Sequence, residues 1–296
     1  MTRWAAAFAC LASLVAAAPA RTPSSPPAKP ALWELADADT TIWLFGTIHI
    51  LPPQYRWRGP AIDRAIGEAQ TLTLETVLDT DPGKVAQILT TLGRAQGLPP
   101  LADRVPADKR AALRDLIAAS GLPADGLDGF KTWAAAVMLT GAALQRIGVP
   151  ITAGSGVEPQ LTAVFRGAGK LVEGLETPEM QLGFFDALPE SGQRAFLAAT
   201  LDSPAKAGAD FRALVSAWSR GDVARIARAF ADEPEFTDQA RDLLIRRRDA
   251  LWASALAKRL ERPGTVFVAV GAGHLVGPDS VQRMLSAKGM TVQRIQ

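Results

Sequence analysis

Thr265-Val266-Phe267-Val268-Ala269-Val270, followed at once by Gly271-Ala272-Gly273-His274, is the stretch that decides the fold. The first six residues are the most strongly β-patterned run in the chain and carry no charge. A strand apolar at every position is buried on both faces, as in the middle of an α/β sheet. Residues just beyond the C-terminal end of such a strand lie at the sheet edge where α/β proteins bind ligands.

Working outward, the same arrangement occurs near the other end of the chain. Thr41-Ile42-Trp43-Leu44-Phe45 is strand-like and runs into Gly46-Thr47-Ile48-His49. His49 and His274 are the chain's two histidines, and both stand third after a glycine that follows a β-run. With 25 glycines in 296 residues, shuffling would place both histidines so in roughly 0.7% of sequences, a figure that a motif found after the fact must discount. Glycine at a strand end lets the backbone turn tightly and approach a ligand, and neutral imidazole is a good ligand for transition metals. Each histidine alone would read as a hydrogen-bonded turn residue; the matched pair reads as a site.

The rest of the pattern predicts a mixed sheet built from N- and C-terminal strands, with a long helical middle as a cap. Leu32–Leu35 and Thr41–Phe45 form an opening hairpin around Asp37-Ala38-Asp39. Pro60–Ala69 is a helix with proline at its first position, Thr71–Glu75 a strand, and Lys170–Leu175 another. Helices are expected over Pro82–Ala95, Ala107–Ser120 and Phe130–Ile147, after the Thr177-Pro178-Glu179 cap, and over Gln193–Asp222, Ala224–Leu260 and Pro278–Lys288. Thr291–Ile295 closes the sheet.

Composition sets the bounds. At 296 residues, 48% hydrophobic and 21% charged, the chain is globular and large enough to bury roughly three quarters of its unfolded surface. The net charge is +2, with no basic stripe interleaved with aromatics, which speaks against a nucleic-acid partner. Met1–Ala20 has a cation at Arg3, an apolar run and Ala18-Pro19-Ala20, the pattern of a cleaved secretory signal peptide. Arg21–Pro30 is a Pro/Ser-rich tether expected to be disordered, and 31–296 is expected to be one domain. The lone cysteine, Cys10, lies in the leader, so the exported chain would carry none. That suits a periplasmic or secreted protein without disulfides. No later segment is apolar and long enough to span a membrane.

Several acidic residues are candidates beside the histidines. Glu75 ends a strand; it is a third metal ligand, a base that takes a proton from water, or a cap or surface ion pair. Glu176 follows another strand, and Glu158 is a weaker candidate; each is a site residue or a cap. Arg246-Arg247-Arg248-Asp249 is a charge run that ordinarily marks a solvated face, from which one arginine could reach an oxyanion. No G-x-S-x-G elbow, Walker loop or H-E-x-x-H helix is present.

The sequence resembles the TraB/GumN family, which includes the TIKI metalloproteases. The resemblance rests on Ile42–His49, Trp57-Arg58 through Pro60-Ala61-Ile62, Leu74-Glu75, Glu173–Thr177 with Gln181, and Val270–Gly277. The family has an Arg-Asn pair in the long helix before the second motif; Arg248-Asp249 takes that place, with aspartate for asparagine. The resemblance implies a fold related to erythromycin esterase-like and ChaN-like proteins and a divalent-metal-dependent hydrolase site. His49 and His274 would be metal ligands and Glu75 a ligand or base. Arg248 would stabilise charge on a carbonyl oxygen, and Glu176 is a further catalytic candidate. The ion would be manganese, cobalt or zinc, and the substrate a peptide or small molecule. Two other readings stay open: a metal-free esterase with a histidine base, and a non-catalytic binder of a metal or iron complex.

Overall fold

A computed structural model describes residues 28–51, 55–77, 82–149, 156–231 and 237–296. The expected signal peptide and most of the tether lie outside these residues. The protein is α/β, with a six-stranded mixed sheet in the order β4-β3-β5-β2-β1-β6. The strands are β1 (Leu32–Ala36), β2 (Thr40–Thr47), β3 (Thr71–Thr76), β4 (Leu171–Glu176), β5 (Gly264–Gly271) and β6 (Val292–Arg294).

β1 and β2 form the expected antiparallel hairpin, and β6 adds to the outer side of β1. The other contacts, β2 with β5, β5 with β3 and β3 with β4, are all parallel. β5 therefore lies inside the sheet, as its unbroken apolar run requires. Val266, Val268 and Val270 pack on one face with Ile42, Leu44, Trp252 and Leu256. Phe267 and Ala269 pack on the other with Phe45, Leu72, Trp57 and Trp218. Period-two alternation thus divides one apolar strand between two cores.

Parallel pairing has a consequence for function. β2, β3, β4 and β5 all end at the same edge, with Thr47 opposite Gly271 and Thr76 opposite Glu176. The sequence connects β2 to β3 across β5, so this edge is also where the strand order switches, the usual ligand crevice of an open α/β sheet.

The helical middle has a core of its own. Leu101, Leu116, Phe130, Trp133, Leu139 and Leu197 are all buried in it. Arg104, 1% exposed, ties its loops together by donating to the carbonyls of Pro99, Asp128 and Phe130. Two expected long helices are broken. Gln193–Asp222 is the pair Glu190–Thr200 and Pro204–Ser219. The break is at Ser203-Pro204, where the serine hydroxyl accepts from Lys206 N–H and the proline takes the first turn. Ala224–Leu260 divides into Val223–Ala231, Asp238–Arg241, a π-helical turn Asp242–Arg246 and Arg247–Leu260. Among the described residues no helix is long and apolar enough to cross a membrane.

Candidate functional site

Each strand end delivers one part of the site. β3 brings Glu75, 6% exposed, and β4 brings Glu176, also 6% exposed. His49 follows β2 by two residues, and His274 sits on a short 3-10 turn, Ala272–Leu275, directly after β5. The fifth part comes from the side: Arg248 and Asp249 open the Arg247–Leu260 helix just after the π-helical turn. Such turns shift the helical register by one residue and recur at functional sites. The structure thus brings His49, Glu75, Glu176, Arg248 and His274 together at one edge of the sheet.

Glu75 is gripped on both oxygens. Oε1 accepts from the Gly271 N–H at 2.6 Å, and Oε2 accepts from Arg248 Nη2 at 2.9 Å and Gln181 Nε2 at 3.1 Å. Burial raises a carboxyl pKa, but here His274, Arg248 and His49 outweigh it and hold Glu75 down to about 2.

Arg248 is wholly engaged. Nε and Nη2 form a fork on Glu176 at 2.8 and 2.9 Å. Nη2 also meets Glu75, and Nη1 reaches the Leu244 carbonyl and His274 Nε2, both at 3.2 Å. Those contacts account for the five N–H groups a guanidinium has. The plane packs against Trp252 and Phe184, with the central carbon 4.8 and 5.6 Å from the ring centroids. Burial works against the charge, but Glu176 and Glu75 prevail and push its pKa up.

The two imidazoles are anchored alike. His274 faces Asp249 Oδ1 through Nδ1 at 2.6 Å, and His49 faces Glu158 Oε1 through Nδ1 at 2.7 Å. A carboxylate only accepts, so Nδ1 carries the proton in both rings and Nε2 is the atom turned to the site. Trp252 lies 4.4 Å from the His274 ring and keeps it from swinging. Glu158 also accepts from the Thr47 hydroxyl and comes from the helix Val157–Gly167. Its approach depends on Gly156, whose φ is +94°; a Cβ there would stand 1.9 Å from the His49 carbonyl oxygen.

Surroundings separate the two rings. His274 has 7% of its side chain exposed, His49 65%. Desolvation is the largest single influence on His49 and opposes its charge, but the hydrogen bond and attraction to Glu158, with the attraction of Glu75, together outweigh it and its pKa rises to about 9. Glu158 is lowered in return: its own burial opposes this, and His49 and Thr47 overcome it. Asp249 is pushed the other way. Burial dominates over His274 and Arg248 and lifts it to about 6.

Gly271 marks the meeting point. A Cβ on it would lie 3.0 Å from Glu75 Oε1, 3.5 Å from His49 Nε2 and 3.7 Å from His274 Cδ2. His274 Nε2 and Glu75 Oε1 are 3.7 Å apart. Among the described residues no three His, Cys, Asp or Glu side chains form a ready-made ion cage. The donor chemistry nevertheless suits a cation. The cluster holds four carboxylates: Glu75 and Glu176 are paired with the guanidinium of Arg248, while Glu158 and Asp249 are bonded to the two imidazoles. Both imidazoles also present Nε2 with Nδ1 held by a carboxylate, the arrangement common among metal-bound histidines.

Sequence reasoning did not single out Thr47, Trp252 or Phe184. Trp252 donates to Glu176 Oε1 at 3.0 Å. Its position four residues after Arg248 places both on one helix face, and that spacing is the signal that could have found it.

The sequence model of the TraB/PrgY/gumN family matches residues 31–294. The chain belongs to this family. No curated protein and no solved structure matches it. Membership in the TraB/PrgY/gumN family covers the sheet, the helical middle and both G-x-x-H turns together.

Proposed function

We propose that this TraB/PrgY/gumN family member is an exported hydrolase, periplasmic or secreted, that uses a divalent cation to cleave an acyl bond, a peptide bond foremost. One observation carries the reading: two carboxylate-anchored imidazoles and Glu75 surround Gly271 at the switch-point edge of the sheet, in a cluster with more carboxylates than cations. His49 Nε2 and Glu75 Oε1 would hold the ion, joined by His274 Nε2 once it gives up the bond it accepts from Arg248 Nη1. A cation there supplies polarisation of the scissile carbonyl and a lowered pKa for an attacking water.

The protein's own groups do the rest. Glu75, held near pKa 2 by its neighbours, suits a ligand better than a base, because proton uptake from water is most effective when the pKa of the base lies near the working pH. Glu158 and Asp249 fix the two rings. Arg248 is a positioning residue: three of its donors hold Glu75 and Glu176 in place and the other two go to Leu244 and His274, so stabilising an oxyanion would require it to release one of these partners. His49 stands at the open side, where a substrate arrives.

A second reading has an observation of its own. The His49–Glu158 pair, 2.7 Å apart and exposed at the cleft, is a base with its orienting carboxylate. A ring with a pKa of about 9 is protonated at neutral pH, so metal-free hydrolysis by this pair would rise with pH up to about 9. The deciding experiment is metal analysis of the mature protein, followed by turnover of a peptide and ester library with and without chelator. Bound manganese, cobalt or zinc and chelator-sensitive cleavage support the first reading. Chelator-resistant cleavage that climbs to about pH 9 supports the second. A stoichiometric ion with no turnover of any library member makes the protein a binder.

A further inference from the structure

Asp249 does more than hold a ring. It is fully buried, its Oδ1 sits 2.6 Å from His274 Nδ1, and its Oδ2 has no hydrogen-bond partner. Arg248, its immediate neighbour, sends its donors to Glu176, Glu75, Leu244 and His274 instead. Glu158, by contrast, shares its Oε1 between His49 and the Thr47 hydroxyl. The charge of Asp249 thus falls on one acceptor bond, to one imidazole. An amide oxygen would fix the same ring and tautomer with less desolvation cost.

We infer that Asp249 tunes His274: its singly bonded buried carboxylate raises the electron-donating power of Nε2 beyond what an isosteric amide would allow, at the expense of the stability of the metal-free fold. A carboxylate on Nδ1–H polarises that bond and makes the far nitrogen the stronger ligand. Trp252 against the ring and the surrounding apolar side chains keep water from diluting the effect. The inference rests on the metal reading for its largest consequence, but the hydrogen bond itself exists without an ion.

The test compares the mature wild-type protein with Asp249→Asn. Titration with cobalt(II) and manganese(II) should show affinity reduced about 10–100-fold in the variant, with the metal-free unfolding temperature equal to or above wild type. A purely structural contact would move the two together. Nitrogen-15 NMR of the metal-free imidazoles adds a readout independent of any ion. The wild-type His274 Nδ1 proton should lie far downfield and shift upfield in the variant. Unchanged affinity together with unmoved imidazole signals overturns the inference. If wild type binds neither ion, the metal reading fails while the imidazole signals still decide the role of Asp249. If the variant does not fold, the absence of a downfield Nδ1 proton in wild type overturns it.

Discussion

The two G-x-x-H turns have the same spelling and opposite circumstances. After β5, His274 is sealed under Trp252 and held by Asp249 from the helix that also supplies Arg248. After β2, His49 stands in the open and is held by Glu158, which reaches it from a separate helix. One turn is part of the core and the other is its doorway. A motif of strand, glycine and histidine therefore fixes where a ring emerges, while burial and the partner of Nδ1 fix what the ring can do.

The comparison breaks most visibly at the residue that welds the buried side together. Arg248→Ala removes the counter-charge of two buried carboxylates, Glu75 and Glu176. Leaving buried charge uncompensated costs on the order of 3–5 kcal/mol, and metal binding and turnover should fall with stability. Arg248→Lys keeps the charge but offers three donors without the planar fork, so it should recover only part of the stability. Urea unfolding of both variants measures this. A lysine variant as stable as wild type would mean the fork on Glu176 is dispensable.

Truncating each histidine separates core from doorway. His274→Ala leaves Asp249 buried without its only partner and should cost about 1–3 kcal/mol besides the metal site. His49→Ala removes an exposed ring but also a partner of Glu158, which keeps its bond from Thr47, so it should cost less stability than His274→Ala while abolishing metal binding and turnover to the same degree. Equal stability losses in the two variants would erase the distinction.

Acidity should act on the two buried carboxylates with opposite sign. Glu75 is lowered to about 2 from an ordinary value near 4.5, so its stabilisation is complete above the ordinary value and is lost as pH falls toward 2. Asp249 is raised to about 6 from 3.8, so its contribution is complete below 3.8 and is lost as pH rises through 6. Metal-free Asp249→Asn should therefore match wild type most closely near pH 4 and exceed it in stability at pH 7. Denaturant midpoints across that range check it; a constant gap would show that Asp249 does not titrate in the fold.

Much of this was legible from residues. The unbroken apolar run Val266–Val270 placed β5 inside the sheet, and strand ends placed His49, Glu75, Glu176 and His274 along one edge. The bonds of Arg248 were not legible, because its partners lie 72 and 173 residues away. Neither was the π-helical turn: Asp242–Arg246 contains no proline or glycine to announce it. The break at Ser203-Pro204 was legible in principle, since serine before proline is a helix start, but apolar periodicity continues through it.

The smallest effects belong to the other two arginines of the run, and they sharpen the reading of Arg248. Arg246 bridges Asp242 and Asp279 with 46% of its side chain exposed, and Arg247 pairs with Asp242 at 63% exposure. Both point outward because successive helical residues are rotated by about 100°, so the face that buries Arg248 and Asp249 leaves Arg246 and Arg247 in solvent. Exposed pairs of this kind are screened by salt and dominated by solvent. Lysine preserves their charge and reach, so Arg246→Lys and Arg247→Lys should leave unfolding midpoint, ion affinity and turnover indistinguishable from wild type. The measurement is a direct one beside Arg248→Lys under identical salt. If Arg246→Lys impaired the protein as severely as Arg248→Lys, the helix would be presenting a different arginine to the strand edge, and the clamp on Glu75 would have to be reassigned.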